Sequence, residues 1–99
     1  MITVKTKSGF KAEVNPRKVV DLRFLKCIVK VSTGKSDLDK LNSYLEMIDL
    51  LFSNEEEARF LAHMESLDSE GIIELEPVAK ELEEIMTACA EENKKVKNS

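Results

Sequence analysis

Tryptophan is absent from this 99-residue chain, and histidine and tyrosine occur once each. With His63 as the single imidazole, a histidine-rich metal centre is excluded, and the spacings CxxC, HxxxH and HxxE do not occur. Cysteine is equally scarce. Cys27 and Cys89 lie far apart, each inside an apolar pattern, and read as small buried hydrophobes of a reducing compartment rather than as a disulfide framework. The three glycines, Gly9, Gly34 and Gly71, are isolated, which leaves no glycine-rich loop to cradle a phosphate. No run of about 20 apolar residues exists to span a membrane. Met1 to Phe10 alternates polar and apolar residues, without the continuous apolar stretch of a secretory leader.

What is present is a globular balance. Hydrophobic residues make up 42% and charged residues 34%, enough apolar surface to fold one domain. The reading is a single α+β domain over residues 1–92 with a disordered tail at 93–99, because Glu91 to Ser99 contains one apolar residue, Val96. Charge is split along the chain. Residues 1–35 hold nine Lys/Arg against two Asp/Glu, and residues 36–99 hold six against seventeen. Such a chain either neutralises itself across the folded surface or associates head to tail through opposite faces.

Ile2 and Val4, then Phe10, Ala12 and Val14, alternate around a glycine-containing turn and predict a β-hairpin. Asn15-Pro16 marks a boundary, after which Val19, Leu22, Leu25 and Ile28 or Val29 keep helical spacing while Leu25, Cys27, Val29 and Val31 also alternate as in a strand; the helix is preferred, over about 17–31, with Gly34 as its stop. Ser36 and Asp39 form a capping-box variant ahead of a second helix, whose stripe of Leu38, Leu41, Leu45, Ile48 and Phe52, widened by Tyr44 and Leu51, is expected to face the core. Ser53 and Glu56 make a second capping box, and Phe60, Leu61, Met64 and Leu67 form the inward face of a third helix. Asp68 to Gly71 ends it. Ile72, Ile73 and Leu75 are expected to lie extended on the core, and Pro77 to open a last helix with Val78, Leu82, Ile85, Met86 and Cys89 inward. The architecture is thus an N-terminal β-hairpin followed by a mostly helical bundle of about four helices.

Candidate chemistry is thin. His63 reads as a partly exposed surface histidine at the edge of the third helix, and a Cys89–His63 dyad has no local support. Glu55-Glu56-Glu57 falls in a first helical turn, where acids suit the macrodipole. Glu81, Glu83 and Glu84 read as an outer solvated face. No catalytic, cofactor or metal residues are assigned. Met47, Met64 and Met86 fall one to each of the last three helices; they either fill gaps in a small core or form an adaptable apolar surface for a partner helix. The alternative is a small cytoplasmic regulator that tracks nucleic-acid phosphates with the basic hairpin, Lys5, Lys7 and Lys11. Against it stand the overall acidity, with a pI near 5.1, and the lack of an arginine-rich recognition helix.

Several segments together resemble a family. Gly9-Phe10 in the hairpin, Leu50 to Glu56, Leu61 to Met64, Ser69 to Ile72 at a "D-x-x-G" turn, Val78 and Leu82 to Ile85 are similar to tail assembly chaperones of long-tailed bacteriophages and prophages. The resemblance covers most of residues 9–86 on degenerate motifs, and the first helix departs from it by lacking a tryptophan, with Phe24 the nearest aromatic. It implies a non-enzymatic protein of the bacterial cytoplasm that coats the tape-measure protein, recruits tail-tube subunits and needs no cofactor. It also implies a longer form made by ribosomal frameshifting, for which a run of adenines encoding Lys94-Lys95 would serve.

Overall fold

The alternating start of the chain does form a hairpin. The computed structural model describes the backbone of residues 1–98 and the side chains of residues 1–95. Among the described residues, β1 (Ile2–Lys5) and β2 (Lys11–Val14) are followed by a 3-10 helix (Pro16–Val20) and by α1 (Leu22–Thr33), α2 (Asp37–Leu51), α3 (Asn54–Ser66) and α4 (Leu75–Asn98). This is the α+β arrangement of hairpin and four helices. The strands pair antiparallel, Ile2 opposite Val14 and Val4 opposite Ala12. Gly9, at φ +98°, supplies the left-handed turn between them. Val4, Ala12 and Val14 share one face of the ribbon and are buried with Phe10, β1 against α4 and β2 against α3. Phe10 is the latch: its ring meets Phe60 at 5.4 Å and Phe52 at 6.4 Å, both edge-on.

The helix predicted over 17–31 is divided at Asp21. Asn15 caps the 3-10 helix by accepting from the Arg17 N–H, and Pro16 occupies its first position. Asp21 then takes an extended backbone. Its N–H closes the 3-10 helix on the Lys18 carbonyl at 3.2 Å, while its carboxylate accepts from the Arg23 N–H at 2.8 Å and so caps α1. One residue ends one helix and starts the next, because an acid at this position satisfies an orphan N–H that a continuous helix would not leave.

Ser36 and Ser53 both cap as expected, accepting from the Asp39 and Glu56 N–H groups at 3.2 Å each, but the boxes are not closed: the Glu56 carboxylate turns instead to the Glu13 N–H and the Arg59 guanidinium. The inward face of α2 follows the expected stripe only in its second half, where Ile48, Leu51 and Phe52 are buried and Tyr44 is half-buried. Ser43 and Met47 are buried as well, and Leu38, Leu41 and Leu45 are exposed. The cause is the short connection from α1. It lays α1 along α2 as an antiparallel pair, with Ile28 and Val31 of α1 opposite Tyr44 and Met47 of α2, and this rolls α2 about its axis. The Cys27 thiol reaches the Glu46 carboxylate at 3.3 Å across that contact, and the buried Ser43 hydroxyl donates to the Asp39 carbonyl.

Three further expectations are corrected. On α3 only Phe60 and Met64 are buried, while Leu61 and Leu67 are exposed, since the helix has neighbours on one narrow side. Ile72 and Ile73 are exposed rather than laid on the core. Asp68 holds the turn before them by accepting from the N–H groups of Glu70 and Ile72, with Gly71 at φ +72°. Glu81 is 5% exposed, not on an outer face, and one of its carboxylate oxygens is buried without a partner. The last helix begins at Leu75, just ahead of Pro77, and buries Val78, Leu82, Ile85 and Cys89 as expected. It continues past the domain boundary read at residue 92: the Asn93 side chain donates to the Pro16 carbonyl at 2.9 Å, and the backbone is helical to Asn98. The rest of the stretch read as a tail, namely the side chains of residues 96–98 and all of Ser99, lies outside the described residues.

Candidate functional site

The helix-on-helix packing leaves an open apolar cleft where α1, α2 and α4 meet. Ile28, Val31 and Ser32 recur at helical spacing along one flank of α1, Tyr44 and Met47 face them from α2, and Ala79, Glu83 and Met86 close the third side from α4. Its volume is about 300 Å³. Met47 is buried in its floor and Met86 is half-buried on its wall. The fold therefore brings together two of the three methionines singled out in the sequence. Met64 is elsewhere, in the core beside a recess of about 90 Å³ under the Asp68–Gly71 turn. Polar groups at the cleft are limited to the Tyr44 and Ser32 hydroxyls and the Glu83 carboxylate. Such a lining suits an apolar side chain carried on a helix, with unbranched methionines able to repack around it.

The residues with chemical potential are scattered. His63 is half-buried, and its Nε2 lies 2.9 Å from the Ser8 hydroxyl, which in turn lies 3.1 Å from the Thr6 hydroxyl. The imidazole also packs on Phe10, with ring centroids 5.3 Å apart. Together these contacts fasten the hairpin turn to α3. Ser8 was not legible as a partner of His63, because 55 residues separate them and neither carries a local signal. Burial raises the pKa of the Cys27 thiol, and the Glu46 carboxylate beside it adds to the effect. Burial likewise raises that of Cys89. Both shifts oppose thiolate formation, the reactive state of cysteine. Among the described residues no group of three or more His, Cys, Asp or Glu is arranged to hold a metal ion, and no helix is long and apolar enough to cross a membrane.

The hairpin lysines Lys5, Lys7 and Lys11 are exposed, but acids share their surface. Glu84 accepts from the Lys7 N–H at 3.1 Å and Glu56 from the Glu13 N–H at 3.4 Å. The groove of about 560 Å³ between β1 and α4 mixes Lys5, Lys7 and Lys80 with Glu83 and Glu84. Farther along, burial and the neighbouring Asp49 both push the pKa of Glu57 up, so like charges crowd where α2 meets α3. No protein-family model matches the chain, and neither a curated protein nor a solved structure matches it.

Proposed function

We propose that the chain is a non-catalytic protein-binding module, a tail assembly chaperone of a long-tailed phage or prophage. It coats the tape-measure protein and recruits tail-tube subunits in the bacterial cytoplasm. The observation that carries the proposal is the cleft between α1, α2 and α4, an apolar recess floored by Met47 and walled by Met86. A tape-measure protein is a long helical chain with exposed apolar side chains, and an apolar recess between helices is the complement of one such side chain. The resemblance of residues 9–86 supplies the identity of the partner. The mixed charge of the hairpin favours this reading over nucleic-acid binding, since Glu56 and Glu84 would repel phosphates beside the lysines.

The test is co-expression with the very long, coiled-coil-rich protein encoded beside the gene. The chain is expected to keep that protein soluble and to co-purify with it. Met86→Glu, a change at the half-buried wall of the cleft, is expected to weaken the complex at least about tenfold while leaving the fold intact. A long protein that is equally insoluble with and without the chain would contradict the proposal. So would retardation of DNA or RNA that weakens between about 50 and 200 mM salt, which would favour the hairpin-lysine reading.

A further inference from the structure

The hairpin has two edges, and one of them is covered. Thr6 donates to the Phe10 carbonyl at 2.9 Å, which fixes the alternation of the ladder. Ile2 and Val4 therefore turn their N–H and C=O groups toward β2, and Thr3 and Lys5 turn theirs outward. On β2 the outward residues are Lys11 and Glu13, and α3 serves both. Glu56 accepts from the Glu13 N–H at 3.4 Å, and the Arg59 guanidinium donates to the Lys11 carbonyl at 3.2 Å. On the β1 side the outward row is Thr3, Lys5 and, past the strand end, Lys7. Glu84 of α4 accepts from the Lys7 N–H at 3.1 Å. Thr3 and Lys5 are exposed, and among the described residues nothing accepts from their N–H groups or donates to their carbonyls.

Beside this open row runs the groove of about 560 Å³ between β1 and α4. Its lining includes the buried Val4 and the half-buried Ala88, with Glu83 and Glu84 on the α4 wall. A row of main-chain donors and acceptors at strand spacing specifies its occupant more closely than an apolar patch does. Its complement is another extended backbone, lying about 4.8 Å away. Side chains of such a strand would alternate, one set over Val4 and Ala88 and the other outward beside Thr3 and Lys5.

We propose that the β1 edge takes up an extended segment of another protein as a third strand, one that alternates small apolar residues with acids. Lys5 and Lys11 lie directly opposite each other as a non-hydrogen-bonded pair, where side chains approach most closely. Like charges so placed repel, and among the described residues neither lysine forms an ion pair. An acid on the incoming strand beside Lys5 relieves that repulsion. Glu83 and Glu84 keep acids out of the inward set, where a small apolar residue fits over Val4 and Ala88. The same lysines discriminate against a second copy. No acid precedes Glu13 in the chain, and pairing β1 with another β1 so that each Thr3 meets a Lys5 sets the two Lys5 side chains diagonally across from each other. β1 is four residues long, so the contact is small and weak. The surface is distinct from the α1–α2–α4 cleft, and the inference does not depend on the tape-measure reading.

The test is an NMR titration of the isotope-labelled chain with a capped peptide that alternates Val and Glu. The amide signals of Thr3 and Lys5 are expected to shift saturably and to gain protection from solvent exchange, with Glu13 unmoved. Thr3→Pro removes an outward N–H and leaves the β1–β2 ladder whole, a change that edge strands tolerate. With its melt checked as unchanged, it is expected to weaken binding at least about tenfold. A second arm alters only the peptide. N-methylation of the residues whose N–H groups would face β1 keeps every side chain and is expected to abolish binding, and Lys in place of Glu is expected to weaken it. Thr3 and Lys5 signals unmoved by excess peptide would overturn the proposal. So would an N-methylated or lysine peptide that binds as the parent does. Protection of the two amides that grows with the chain's own concentration, without peptide, would overturn it as well by placing a second copy on the edge.

Discussion

Leu45 and Ile48 are three residues apart in one apolar stripe, yet the first is 47% exposed and the second 2%. Their truncations separate accordingly. Ile48→Ala is expected to cost about 2–5 kcal/mol, through lost burial and a cavity, and Leu45→Ala less than about 1 kcal/mol. Urea melts of the two variants check this, and equal losses would place Leu45 in the core. The thiols differ in the same way. Among the described residues the buried Cys89 thiol has no hydrogen-bond partner, whereas Cys27 reaches Glu46. Cys89→Ser is therefore expected to lower the melting temperature more than Cys27→Ser, because it places a polar hydroxyl in a wholly apolar surrounding, whereas at position 27 the hydroxyl can donate to the Glu46 carboxylate. Asp21 gives a pH signature. Its carboxylate is held at a pKa of about 2, below the ordinary 3.8, chiefly by the Arg23 side chain and then by the Arg23 backbone N–H. A depressed carboxylate pKa adds stability that is complete above 3.8 and is lost as pH falls through about 2. Asp21→Ala is thus expected to melt below the wild type near neutrality, with the gap closing by about pH 2. A gap that persists there would show that the cap does not act through the ionised carboxylate.

At the scale of elements, the segments readable in the sequence were those governed by local rules. Period-two alternation placed Val4, Ala12 and Val14 on one face, and Ser36 and Ser53 announced the starts of α2 and α3. The misread faces depended on neighbours distant in sequence. Leu38, Leu41 and Leu45 have the spacing of a core stripe, but the packing of α1 on α2 decides which way α2 rolls, and no pattern within α2 encodes it. Asp21 was legible in principle as a cap, but the apolar run on both sides of it masked the break. Gly34 is the helix stop its sequence position suggests, the C-cap of α1, but the need for glycine there is steric. Its backbone is extended rather than left-handed, and a Cβ there would lie 2.9 Å from the Lys30 carbonyl oxygen and 3.5 Å from the Asp39 Cβ. Gly34→Ala is expected to push α1 and α2 apart at their junction and to cost roughly 1–3 kcal/mol. A melt unchanged from the wild type would mean that the link yields without cost.

Across the whole molecule, extents of 46 × 31 × 22 Å describe an elongated body with its hairpin latched to α3 and α4. The candidate site was legible in part. Met47 and Met86 stand out by residue type, but the cleft they share also needs Ile28, which in sequence only marks helical spacing, and Val31 and Ala79, which carry no signal of their own. The charge split between the first third and the remainder was legible, but not its interleaving in the fold, where Lys5 and Lys7 share a groove with Glu83 and Glu84, and Lys30 a recess with Asp39 and Glu46. The most direct test of the account follows backbone amide signals of the isotope-labelled chain by NMR while a helical segment of the tape-measure protein is added. The account predicts saturable shifts at Ser32, Tyr44, Ala79 and Met86, around the cleft, with Lys5, Lys7 and Lys11 unmoved. Shifts confined to the hairpin, or none at any ratio of partner to chain, would contradict it.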